Sequence, residues 1–218
     1  MKVQSGGTVN RGAKAREDKR KIILEAAVHT FAEKGYFSAR MRDVAARAGV
    51  ADGTVYLYFE SKKKLLIDIL EEYAKAFVER AERDCQGITD PRGQLRAVLQ
   101  RHLVSLEANL ALATVFQIEL RHSRKFLRRV AKGQVASYLN LLQNIVASGI
   151  KRGIFRREID PKVAARAIFG AVDELVTSWV LARHPGSLQA QLGPILDFLF
   201  FGLCELTARG TAMKRGES

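Results

Sequence analysis

Two sets of cationic side chains carry the chemical potential of this chain, and they lie far apart. Arg40 and Arg42 belong to the first. The second, Arg121, Arg124, Lys125, Arg128 and Arg129, falls within residues 120–157, which hold ten Lys and Arg and no Asp or Glu. Guanidinium and ammonium groups gathered without neutralising carboxylates suit phosphate and other multivalent anions. The net charge of +13 divides in the same way, +7 over residues 1–64, −3 over 65–119, +10 over 120–157 and −1 over 158–218. Catalytic chemistry has little to stand on. Asp173 and Glu174 are adjacent carboxylates flanked by apolar residues, but neighbours on a helix point about 100° apart, and no nucleophile or histidine accompanies them. They read as polar anchors near a dimer seam. Cys85 and Cys204 have no ligand spacing, and His29, His102, His122 and His184 are scattered, so neither a metal nor a cofactor is expected. No GxSxG or catalytic-cysteine context occurs, which argues against an enzyme.

The first set must be positioned by the stretch Met41–Phe59, MRDVAARAGVADGTVYLYF. Met41, Val44, Ala45 and Ala48 recur at helical spacing and predict a short amphipathic helix with Arg42, Asp43 and Arg47 outward. Gly49 can take the left-handed conformation that ends a helix, and Val50 can plug the angle before a second helix. Asp52 in that helix's first turn suits the dipole, or accepts from a cytosine amino group. Gly53 leaves room for a ligand backbone to approach. Two such helices around a glycine predict a helix-turn-helix, whose second helix enters the major groove of duplex DNA. Arg40 and Arg42, at the start of the first helix, are placed for the DNA backbone or a flanking guanine.

Counted from Met41, Val44, Ala45, Gly49, Val50 and Val55 match the helix-turn-helix of bacterial regulators. With the run AAVHTFAEKGY ending at Tyr36, and Lys62 followed by KKLL, the stretch resembles the DNA-binding domain of the TetR family. The resemblance implies contact with DNA around Ala51, Asp52 and Gly53, and phosphate contacts from Thr54, Tyr56, Tyr58 and Lys62. It also implies a homodimer on a near-palindromic operator. Arg40 and Ala51 depart from the family, standing where capping Thr and Ser side chains are usual. Arginine cannot accept from a free backbone N–H, so Ser38 or water is expected to do so.

The rest reads as all-α, about nine helices in total. Residues 1–16 are expected to form a disordered basic arm, 17–64 the DNA-binding domain, 65–209 an effector-binding and dimerisation domain, and 210–218 a loose tail. Helices are predicted from Glu17 to Lys34, from Ser61 to about Cys85, from Asp90-Pro91 onward, across a fully buried Leu110–Leu120, from Arg124 to Gly153, from Pro161 to His184, and from Ser187 to Ala208. PILDFLFFGLCEL is apolar on nearly every side, more than one core face uses. Trp179, Ile195, Phe198, Leu199 and Phe201 are therefore assigned to a dimer seam. No apolar run is long enough for a membrane span, and the polar N-terminus is unlike a signal peptide, so a cytoplasmic protein is expected.

The body also resembles, less specifically, the acyl-CoA-responsive fatty-acid-degradation repressors of that family, over Ala51–Phe59, Phe116–Arg121 and Phe169–Trp179. That resemblance implies a long-chain acyl-CoA effector and repression of fatty-acid metabolism genes. A long-chain acyl-CoA needs an apolar tunnel beside a cationic mouth. Leu103, Leu106, Phe116, Leu120 and Phe169 are the candidate lining, and the acid-free segment is the candidate mouth. The alternative is a repressor of an efflux or transport gene that senses a drug or other lipophile. A site for lipophilic cations would want carboxylates, whereas the distinctive segment here is cationic.

Overall fold

The computed structural model of the chain describes residues 7–119, 133–182 and 186–204. Among these it contains nine α-helices and no strand: α1 Gly7–Lys34, α2 Met41–Ala48, α3 Asp52–Tyr58, α4 Lys62–Asp84, α5 Pro91–Glu107, α6 Leu110–Thr114, α7 Gln134–Lys151, α8 Pro161–Leu181 and α9 Leu192–Leu203. α6 runs on as a single π turn, Val115–Glu119, and Gln189–Gln191 form one 3-10 turn before α9. No described helix is long and apolar enough to cross a membrane.

The long helices start at the expected caps. Ser61 Oγ accepts from the Lys64 N–H at 3.1 Å, Asp90 from Arg92 at 3.2 Å, and Asp160 from Lys162 and Val163 at 2.8 and 2.9 Å. Pro91 and Pro161 occupy the first helical turns, where no N–H is missed. Gly49 takes φ 65° and ψ 34°, the left-handed end that the spacing after Ala48 predicts, and the Val50 N–H returns to the Ala45 carbonyl at 3.0 Å.

Two apolar cores result. The first gathers Ile23, Ala27 and Phe31 of α1 with Val44, Val55, Phe59 and the first turns of α4; the second packs the rest of α4 with α5, α7, α8 and α9. The division expected at residue 65 does not follow the packing. Leu65 to Leu70 belong to the first core, and Leu112 and Val115 of the α6–π segment join them, while Ala113 lies in the second.

Three further expectations need correction. Residues 7–16, assigned to a disordered arm, are the opening of α1. Ala13, Lys14, Ala15 and Arg16 are good helix formers with no breaker after Gly12, so a helix nucleated downstream propagates through them, and the Arg16 guanidinium settles 5.9 Å over the Tyr58 ring. Of the helix expected from Arg124 to Gly153, the described part runs from Gln134 to Lys151, after Gly133 at φ −101° and ψ −117°, and residues 124–132 lie outside the described residues. The Leu110–Leu120 run is not wholly inside: Leu112, Ala113, Val115 and Gln117 are buried, but Leu110, Phe116 and Ile118 only partly so. The last helix starts at Leu192 rather than Ser187, the chain spending residues 189–191 on the 3-10 turn.

At the end of α7 the chain doubles back through Gly153, at φ 68°, and docks Phe155, 1 % exposed, onto Gly149. A Cβ on Gly149 would stand only 2.1 Å from Phe155 Cδ2, far closer than carbon atoms approach. Gly149→Ala is expected to destabilise the body by about 2 kcal/mol, the usual cost of overpacking, and a urea melt with an unchanged midpoint would contradict this.

Candidate DNA interface and effector site

α3 has a single buried side chain, Val55; Asp52, Gly53 and Tyr56 are exposed, while Thr54 and Tyr58 are half-buried. With Arg40, Arg42 and Ala51 also exposed, eight of the nine residues expected at DNA lie between residues 40 and 58 and none of the eight is buried. Nothing crowds Gly53, where an added Cβ would meet open space, so the fold itself does not demand glycine there. The same register exposes Leu57 by 75 %, a residue that sequence reasoning passed over. Its signal was present: with Val55 inward, positions 56 and 57 turn outward together.

Lys62 is the exception. Its Nζ donates to the carbonyls of Tyr36 at 2.6 Å, Phe37 at 3.1 Å and Ala39 at 2.8 Å, and lies 4.6 Å over the Tyr36 ring. Three protons meet three acceptors, so the ammonium is committed to the α1–α2 turn rather than held out to a phosphate. Burial lowers its pKa. The cap of α2 also differs from expectation. The Asp43 carboxylate accepts the Arg40 N–H at 2.8 Å and the Lys34 ammonium at 2.9 Å, so a residue expected to face outward ties α2 to α1. Lys34, then the Arg40 N–H, holds the Asp43 carboxyl below the usual carboxylate range. Arg47, exposed on the far side of α2, pairs with Glu33.

In the body, Leu106 and Phe169 are half-buried against the second core, but Leu103 is 0 % exposed and sealed into that core. Phe116 packs on the first core instead, since the π turn carries it toward α1. Leu120, Arg121, Arg124, Lys125, Arg128 and Arg129 lie outside the described residues. Asp173, expected near the seam, turns inward: it accepts from Gln117 Nε2 at 2.9 Å, while the Thr177 hydroxyl donates to Gln117 Oε1 at 2.9 Å. Among the described residues no three metal-ligating side chains gather, and no buried side-chain N or O atom lacks a partner.

The seam residues divide by face. Phe198 and Phe201 are 70 % and 72 % exposed, but Ile195 and Leu199 point into the second core at 9 % and 7 %. α9 puts residues 195, 196, 199 and 203 on one side, so only the opposite side is left for a partner. Trp179 is half-buried against the core, its indole N–H donating to the Gly186 carbonyl at 2.9 Å.

A helix-turn-helix with an accessible second helix, braced by α1 and carried through α4 on a larger helical body, defines a two-domain DNA-binding regulator. Residues 23–69 match the model of bacterial regulatory proteins of the tetR family, and residues 70–202 match that of the YsiA-like C-terminal region. The chain belongs to the TetR family. It is 37 % identical over 181 residues to the fatty acid metabolism regulator protein of Bacillus subtilis, covering 83 % of this chain and 93 % of that one. The crystal structure of FadR from Bacillus subtilis in complex with stearoyl-CoA superposes with a TM-score of 0.80 at 37 % identity, over 84 % of this chain and 98 % of that one. The repressor SmeT of the Stenotrophomonas maltophilia multidrug efflux pump SmeDEF is more distant, 25 % identical with a TM-score of 0.71 over 86 % and 91 % of the two chains. The chain is thus a transcription regulator homologous to the FadR fatty acid metabolism regulators, not an enzyme.

Proposed function

We propose that this chain is a repressor that binds its operator as a homodimer and is released from it by a long-chain acyl-CoA, so controlling fatty-acid metabolism genes. The observation that carries the reading is the similarity, through head and body together, to a regulator solved with stearoyl-CoA. Thr54, Tyr56, Tyr58, Arg40 and Arg42 grip phosphates, Asp52 and Gly53 approach base edges, and Leu57 is suited to a thymine methyl. The outward face of α9, Phe198 and Phe201, supplies the dimer contact that sets the spacing of the two heads. Effector binding works through differential affinity for the operator-competent and operator-incompetent spacings. A drug-sensing repressor is the competing reading, favoured by the similarity to the efflux-pump repressor SmeT.

A gel shift on candidate operators with a series of acyl-CoAs, free fatty acids and lipophilic drugs tests the proposal. Release by acyl-CoA alone is expected; release by drugs alone overturns it. The acid-free segment is proposed to hold the phosphates of the coenzyme. Changing Arg124, Lys125 and Arg128 together to glutamine should raise the acyl-CoA concentration needed for release by at least about tenfold, the loss of a charge-assisted contact or two, with operator affinity unaltered. Unaltered release would remove these residues from the site.

Tyr56→Phe is expected to weaken operator and random DNA alike, by about fivefold for one neutral hydrogen bond. A loss confined to one operator base, seen in fluorescence anisotropy across base-substituted sites, would give Tyr56 a reading role instead.

A further inference from the structure

The inward face of α1 does not stop where its core does. Ile23, Ala27 and Phe31 turn one side of the helix into the head, and Arg20 and Arg16 continue that side backward at spacings of three and four, with Lys19 one turn before Ile23. Cations take over from apolar side chains. Arg20 is consumed by the fold: it pairs with Asp68 and Glu72 of α4, and its guanidinium lies 5.3 Å over the Phe59 ring. This pins the opening of α1 to the junction of α3 and α4. One turn further out, the Arg16 guanidinium lies 5.9 Å over the ring of Tyr58, the last residue of α3.

Residues 12–19 are exposed throughout, so burial does not dictate where their charges fall. Their signs are sorted nonetheless. Arg16 and Lys19 share the side that leads to the core, whereas Glu17 and Asp18 stand about 100° and 200° round the helix from Arg16. On that outer side Glu17 pairs with Lys21 at 3.8 Å. Among the described residues, Arg16 and Lys19 pair with no carboxylate. A guanidinium held over an aromatic ring still offers the N–H donors along its edge, and a phosphate accepts two of them at once.

We propose that the first turns of α1 are a second DNA-contacting element, in which Arg16 and Lys19 bind backbone phosphates beside the one gripped by Tyr58, on the flank of each half-site. This rests on the operator-binding reading of α3 and widens its footprint. The partner follows from charge and position: both cations adjoin the helix assigned to the groove, and each DNA strand presents a negative charge about every 3.4 Å along the axis. Phosphate contacts carry no sequence information, so α1 adds affinity at any site and leaves selection to α3.

Fluorescence anisotropy of the full chain on random-sequence duplex DNA across a range of salt concentrations tests the assignment with neither operator nor effector in hand. Arg16→Gln with Lys19→Gln removes two charges from the head side of α1, and Lys14→Gln with Lys21→Gln removes two from the outer side as a control for net charge. All four side chains are exposed, and circular dichroism should show both variants folded. The first pair is expected to lower the slope of log affinity against log salt by about 1.8 per protomer, roughly 0.9 for each lost phosphate contact, and to weaken binding at 0.1 M salt by at least about tenfold. The control pair should change the slope by less than half as much. Equal slopes for the wild-type chain and the Arg16, Lys19 variant overturn the assignment, as do equal losses from the two pairs, which would reduce the effect to net charge. If Tyr56→Phe weakens binding while the first pair does not, only this inference fails; if the wild-type chain binds no duplex at all, the reading of α3 falls and takes this one with it.

Discussion

Lys62→Met should lower the melting temperature by about 10 °C and remove operator binding at the same time. The ammonium joins three carbonyls of the α1–α2 turn to the first turn of α4, and methionine keeps the stem while leaving Tyr36, Phe37 and Ala39 without their donor. Hydrogen bonds from a charged group contribute roughly 1.5–3 kcal/mol each when buried. With the turn half open to water the three together are worth about 3 kcal/mol, which converts to that shift for a chain of this size. The DNA effect is indirect: a loosened turn frees α2 and with it the register of α3, and a loss in affinity of about a hundredfold or more follows. Lys62→Arg should rescue only part of this, since a planar fork cannot serve three acceptors converging on one point. Scanning calorimetry beside fluorescence anisotropy decides the matter. Unchanged melting with weakened DNA binding would return Lys62 to the phosphate role that the sequence pattern implies.

Mild acid should destabilise the body through His102. The free imidazole titrates near 6.5, and the buried one only near 4. The unfolded chain therefore takes up the proton first as pH falls, so stability is full above pH 6.5 and declines through the window down to pH 4. At pH 4.5 the loss amounts to roughly 2.5 kcal/mol. Asp43 and Asp84, both held below the usual carboxylate range by cationic partners, lose stability in the same direction but lower in pH. The difference between the wild-type chain and His102→Gln isolates the imidazole. Urea midpoints of the two should converge as pH drops from 7.5 to 4.5, and parallel curves would show that His102 does not titrate as its burial requires.

The head was legible because its determinants are local. Val44, Ala45, Gly49 and Val55 encode two helices and the turn between them within fifteen residues, and Ser61, Asp90 and Asp160 declare their caps by chain position alone. What was missed depends on partners distant in sequence. A lysine after Ser61 looks the same whether it meets phosphate or the carbonyls 23 to 26 residues back. An apolar helix such as α9 does not reveal which side faces its own core, so Leu199 and Phe201 were indistinguishable until packing separated them. His102 read as one of four scattered histidines, because Tyr138, its hydrogen-bond partner, stands 36 positions away. Asp173 pairs across 56 residues with Gln117, and no pattern in either neighbourhood announces the other.

The α6–π segment, with Leu112 and Val115 in one core and Ala113 in the other, sets a rule for anyone recombining these regulators. A chimaera that grafts the first seventy residues onto a foreign sensor leaves behind two plugs of its own interior and exposes the sockets they filled. Residues 110–119 must travel with the graft, although about forty positions separate them from it along the chain.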